Sequence, residues 1–157
     1  MKNTYINNFK FATIMEKDYN FNEVPRNWRF CFNGACPRNG DCLRYQAALE
    51  LPADWTSGQA VFPTALNNGE CRYFRSNEKV RLATGFVIKD NPQLSRMFVA
   101  LRHVLTEHLG SQGTYYLYRN GGKWLTPAQQ EGIRQTFRKA GYEGEVTFAE
   151  YKEDYVF

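Results

Sequence analysis

The chain has 157 residues, of which 43% are hydrophobic and 16% aromatic, with a formal net charge of +4. That is enough apolar material for one core in the usual domain range of about 100 to 150 residues, and it excludes an intrinsically disordered chain. Apolar runs such as Phe86-Val87-Ile88 fall far short of the roughly 20 residues a bilayer span needs, which excludes a transmembrane helix.

At the N-terminus, Lys10, Glu16, Lys17 and Asp18 interrupt any apolar signal core. No secretory leader and no membrane partner are expected, so a cytoplasmic location and reduced thiols follow. Residues 1–30 hold Tyr5, Ile6, Phe9, Phe11, Ile14, Tyr19, Phe21 and Trp28 without a clean period. They read as an irregular arm that lays aromatics on the core, with a short strand or helix near residues 8–15. Pro25 favours an extended entry to Trp28.

Residues 31–46, CFNGACPRNGDCLRYQ, gather three of the four cysteines. Residues 41–49 are expected to form a helix capped by Asp41, with Cys42, Tyr45, Gln46 and Leu49 on one side. Cys42 then falls in the first turn, where unpaired N–H groups favour a thiolate. Pro52 ends that helix, and residues 53–70 form a loop-rich link that turns at Asn67-Asn68-Gly69 into Cys71.

The pattern becomes regular from Val80. Residues 80–88 alternate as a strand with Leu82, Thr84, Phe86 and Ile88 on one face. Asn91-Pro92 starts a helix to Leu109 whose stripe is Leu94, Met97, Phe98, Leu101, Val104, Leu105 and His108, closed by Gly110. His108 thus reads as a core or boundary residue and His103 as solvated. Residues 114–119 (TYYLYR) read as a strand, Asn120-Gly121 as a hairpin turn and residues 122–125 as its short partner. Thr126, Pro127 and Gln129 make a capping box for a helix to Ala140, ended by Gly141. Residues 145–151, extending toward Phe157, form the last strand.

The expected class is α+β, an antiparallel sheet with helices on one face. From about residue 80 the order matches a ferredoxin-like βαββαβ unit. The chain divides into an irregular, cysteine-clustered half (1–78) and a regular half (79–157) of one domain. Charge is polarised: residues 72–102 hold seven basic side chains against Glu78 and Asp90, whereas the tail from Glu143 holds five acids against Lys152.

The cysteine spacing is Cys31-x4-Cys36-x5-Cys42, then 28 residues to Cys71. In a reducing compartment, clustered cysteines point to metal ligation or reactive thiols. Four thiolates about 2.3 Å from a tetrahedral zinc ion would hold together a region poor in regular structure. Residues 34–45, GACPRNGDCLRY, resemble the core of CCCH zinc fingers, which bind single-stranded RNA; Gln46 stands where those fingers have their ligand histidine. Cys31, Gly34, Cys36 and Cys71 also resemble the outline of plant-type [2Fe–2S] ferredoxins, with an x5 gap in place of their x2. Over most of the chain, CFNGACPRNGDCLRYQA, NNGECRYF, LTPAQQEGIRQTFRKAGY and the end Tyr155-Val156-Phe157 resemble a family of small bacterial proteins catalogued as a domain of unknown function. That resemblance implies no activity.

A second candidate surface is aromatic and basic. Tyr116 and Tyr118 on one strand face, with Trp124 opposite and Arg119 and Lys123 beside them, could stack bases or meet a protein. Two histidines without a serine or aspartate motif, and Gly121-Gly122-Lys123 assigned to the hairpin, supply no catalytic or phosphate-binding constellation. The sequence therefore points to a metal-stabilised binding module with a protein or nucleic-acid partner. The alternative is a redox or enzymatic protein that uses the cysteines as an iron–sulfur site or as reactive thiols.

Overall fold

The computed structural model describes residues 19–87 and 91–157. The expected element near residues 8–15, the aromatics from Tyr5 to Ile14, and Ile88 lie outside the described residues.

The regular half opens with β5 (Val80–Phe86) and closes with β6 (Phe148–Asp154), an antiparallel pair in register from Val80 opposite Asp154 to Phe86 opposite Phe148. Gly85 sits in this pair at φ +71°, and a methyl group there would meet the Cβ of Ala149 at 2.8 Å. Only glycine combines that dihedral with that approach. Four helices lie between the two strands: α2 (Pro92–Ala100), α3 (Arg102–Leu109), α4 (Gln112–Arg119) and α5 (Pro127–Lys139). The α+β class holds, but the ferredoxin-like order does not: strand, four helices, strand replaces βαββαβ.

The correction has a local cause. Residues 114–119 are helical because Ser111 caps α4, its Oγ accepting from Thr114 N–H at 3.1 Å, directly after Gly110 ends α3 with φ +101°. Tyr115 and Tyr118, three apart, then face the core together. Asn120-Gly121 is not a hairpin turn but the stop of α4. Gly121 takes φ +82°, its N–H reaches Tyr118 O, and Gly122 N–H reaches Leu117 O at 2.8 Å, the two closing bonds of a Schellman motif. The expected return segment survives as a single bridge, in which Leu125 N–H donates to Ala83 O at 2.7 Å.

The helix expected from residue 91 to 109 starts as anticipated, with Asn91 Oδ1 accepting from Leu94 N–H, but it breaks at Leu101. Leu94 and Phe98 on one side of the break and Leu105 and Leu109 on the other all stay buried. Val104 and His108 are turned to solvent, and the His108 ring lies over Gly132 of α5. The capping box of α5 forms as read, with Thr126 N–H donating to Gln129 Oε1 and Gln129 N–H to Thr126 Oγ1, and Gly141 closes the helix. The core these helices share is aromatic at its centre. Phe86 stacks on Phe98 at 4.5 Å, and Phe98 meets Phe137 edge-on at 4.6 Å.

The first half is built from shorter pieces. β1 (Arg29–Cys31) pairs in parallel with β2 (Gln59–Val61), and β3 (Leu66–Asn67) pairs with β4 (Glu70–Cys71) across the Asn68-Gly69 turn. The helix expected from Asp41 is α1 (Leu43–Leu49); Cys42 is its N-cap, with extended backbone and no side-chain cap, so it lies outside the first helical turn. This half has its own core, the first in chain order, built from Tyr19, Trp28, Phe30, Leu43, Ala47 and Ala48. The chain end completes it: the Tyr155 ring lies 4.7 Å from Tyr19, and the Phe157 ring 5.4 Å from Trp28.

Candidate metal centre

Four different elements deliver the cysteines. Cys31 ends β1, Cys36 lies in the loop that follows, Cys42 caps α1 and Cys71 ends β4. The loop between the first three is a run of tight turns with Cys36 N–H on Asn33 O, Asn39 N–H on Cys36 O and Cys42 N–H on Asn39 O. Two side chains brace it from inside: Asn39 Nδ2 donates to Gly34 O at 2.8 Å, and Gln46 Nε2 donates to Asn39 O at 3.1 Å. Gln46, at the place of a finger's histidine, is thus a brace of the loop. Leu43 N–H to Arg75 O (2.8 Å) and Asn77 N–H to Asp41 O (2.9 Å) tie the segment after Cys71 to the start of α1.

All four cysteines line one small cavity of about 20 Å³, walled further by Val61, Tyr73 and Phe74. A space of that size takes a single water-sized body. No disulfide joins the thiols. Burial pushes the Cys31 thiol up, a hydrogen bond from the Asn33 backbone opposes this, and the other three cysteines push the same way as burial. That is the reverse of the activation a nucleophilic thiolate needs. Among the described residues, no group of three or more His, Cys, Asp or Glu side chains is placed, as it stands, to hold a metal ion. The chemistry of the donor set fits a thiophilic ion, but the sulfurs surround the space without having closed on it.

Arginines surround this cavity. Arg44 is 7% exposed; its Nε donates to Tyr73 O and its Nη1 to Arg29 O, both at 2.6 Å, while its guanidinium lies 3.8 Å over the Trp28 ring. Among the described residues no carboxylate pairs with it. Burial pulls its pKa down and Arg75 and Arg29 add to that, against the opposite influence of Cys42 and Cys71. Arg38 covers Phe74 at 3.5 Å. Sequence reading passed over Arg44; the available signal was a basic residue directly after Leu43 in a short helix otherwise apolar on that side.

The family model for DUF6078, a family of unknown function, matches residues 15–157. The chain belongs to that family. No curated protein and no solved structure matches it. The four cysteines of this DUF6078 chain all lie within the matched span.

The second candidate surface is rearranged. Because residues 112–119 are helical, Tyr116 and Tyr118 do not share a face. Tyr118 is buried, with its hydroxyl accepting from Gln129 Nε2 at 3.0 Å, while Tyr116 is half-buried with Arg119 at 5.8 Å from its ring. Tyr118, Lys123 and Trp124 do meet in one cleft, with Tyr155 and Phe157 on its far side. Lys152 lies over Trp124 at 4.7 Å and pairs with Glu23 at 2.7 Å and Asp154 at 2.8 Å, which makes this cleft the seam between the two halves. Among the described residues no helix is long and apolar enough to cross a membrane.

Proposed function

We propose that this chain is a binding module whose first half is clasped by a zinc ion held by Cys31, Cys36, Cys42 and Cys71. The observation that carries the reading is the convergence of these four thiols on one space of about 20 Å³. A four-thiol set without a free position is the donor set of structural rather than catalytic zinc. The space suits one ion better than an iron–sulfur cluster.

Arg44 supports the reading from the outside. A buried guanidinium with only two carbonyl partners is costly. Four thiolates around a divalent cation carry a net double negative charge, which Arg44 would offset from the cavity wall. The binding role is supported by the surroundings: Phe32 and Phe62 are 60% and 75% exposed, and Phe62 lines a cleft with Arg29 and Arg72.

Elemental analysis of protein purified without chelator tests the clasp. About one zinc per chain is expected, lost in Cys36→Ser together with amide protection across residues 19–77. Folded protein with no metal and four freely labelled thiols would overturn it, and iron with visible absorption would replace zinc by a cluster.

A further inference from the structure

A cleft of about 500 Å³ on the cysteine half lies beside the cavity and shares Val61 and Tyr73 with it. Arg29 and Arg72, both exposed, line it together with Tyr73 and the exposed Phe62, and among the described residues no carboxylate does. Its parts are already ordered around the tyrosine. Arg72 Nη2 donates to Tyr73 Oη at 2.7 Å, and the Arg72 and Arg29 guanidinium groups lie 4.8 Å and 5.9 Å from the Tyr73 ring. Arg29 is fixed from behind, because its carbonyl is one of the two that Arg44 holds.

We propose that this cleft binds single-stranded nucleic acid, with backbone phosphate on Arg29 and Arg72 and a base stacked on Phe62. The proposal deepens the binding-module reading and rests on it for the rigidity of the wall that carries Arg29, Arg72 and Tyr73. Three observations favour this occupant. Two cations without a carboxylate match a phosphate chain, since guanidinium groups bond phosphate oxygens in pairs. A fully open aromatic face is what an unpaired base stacks on, whereas the bases of a duplex are already stacked. The volume lies within the usual range for small-ligand sites of about 300 to 1,000 Å³, room for one or two nucleotides. An acidic peptide would use the arginines but has no need of the exposed ring.

The test is fluorescence anisotropy of a labelled oligouridine decamer titrated with the full chain at low salt and then at rising salt, with metal content measured on the same preparation. Saturable binding is expected, weakening with salt by a slope of about −0.7 for each phosphate engaged. Phe62→Ala should weaken it about tenfold, in line with the stacking worth of one base, and the Arg29→Gln/Arg72→Gln pair should abolish it with the far-ultraviolet spectrum unchanged. No binding at low salt by folded, zinc-containing protein would overturn the cleft and leave the clasp standing. Ring- and arginine-dependent binding by metal-free protein would do the opposite. Binding that ignores Phe62→Ala, or that heparin or a poly-glutamate peptide reproduces with equal affinity, would reduce the cleft to general polyanion attraction and overturn the proposal.

Discussion

The two halves of this molecule reach order by different means. Between Val80 and Asp154, helices of eight to thirteen residues, three of which start at a side-chain cap (Asn91, Ser111 and Thr126), share a continuous core of Phe86, Phe98, Leu105, Ile133 and Phe137. Between Tyr19 and Asn77 the strands have two or three residues and the one α-helix has seven. Such pieces are too short to hold themselves. What holds them is long-range: Arg44 on two carbonyls, Tyr19 Oη donating to Asn77 Oδ1 at 2.6 Å, and the chain end against Tyr19 and Trp28. The contrast teaches that a region can be well packed while its order depends on a few distant side chains.

The contrast is broken most strongly from the helical side. Phe137→Ala removes a fully buried ring from the centre of the second core and is expected to cost about 3 to 5 kcal/mol. In chemical denaturation the second half should lose its cooperative transition, and hydrogen exchange should show the first half following it, because β6 delivers Tyr155 and Phe157. Protection retained in residues 19–77 would show instead that the clasp alone suffices there.

Arg44→Met keeps the stem over Trp28 and strips both carbonyls of their donor. An expected loss of about 1 to 3 kcal/mol follows from leaving two part-buried acceptors without their donor, confined by exchange to the first half. Arg44→Lys should rescue little, since one ammonium cannot replace the guanidinium fork that spans Tyr73 O and Arg29 O. Gly85→Ala, by contrast, strains only the sheet of the second half, through a positive φ and the Ala149 contact. Roughly 1 to 3 kcal/mol is expected in the thermal midpoint.

The smallest effect lies at the seam. Burial raises the Asp154 carboxyl, but the hydrogen bonds from Lys152 and the Tyr155 N–H, with the charges of Lys152 and Lys79, together outweigh it and hold the group below the usual carboxylate range. A depressed pKa contributes stability that is fully present above the unfolded value of about 3.9 and is lost as pH falls through the folded value. Asp154→Asn should therefore lower the midpoint at pH 7 by the equivalent of roughly 0.2 to 1 kcal/mol, and the difference from the parent protein should shrink on acidification toward pH 3. A difference constant with pH would show that the pairing with Lys152 is not its source.

Much of the second half was legible because its signals act within one turn. Thr126 with Gln129 at the start of α5, Gly141 at its end, and Asn91 at the start of α2 each close a bond three residues away, and Pro127 and Pro92 preset the backbone of the first helical position. The same kind of signal was present but outweighed at 111–121. The aromatic residues of TYYLYR resemble a strand, whereas Ser111 and Gly121 make that segment a helix; the caps decided because they supply the backbone partners that a strand would have needed from a neighbour. The four cysteines, Cys71 included, were legible as a set; what the spacing could not show is how the chain brings Cys71 there, through the bonds between Leu43 and Arg75 and between Asn77 and Asp41.

By itself, then, the sequence determined the α+β class, the strand from Val80, the capped starts of α2 and α5 and the identity of the clustered thiols. Only the tertiary structure decided that the last residues pack into the first core, that Arg44 is buried beside the cysteine cavity, and that Arg29, Arg72, Tyr73 and Phe62 share one cleft. The physical reason is reach: caps and periodicity are settled over a few residues, whereas a contact such as Trp28 with Phe157 depends on every element folded between them.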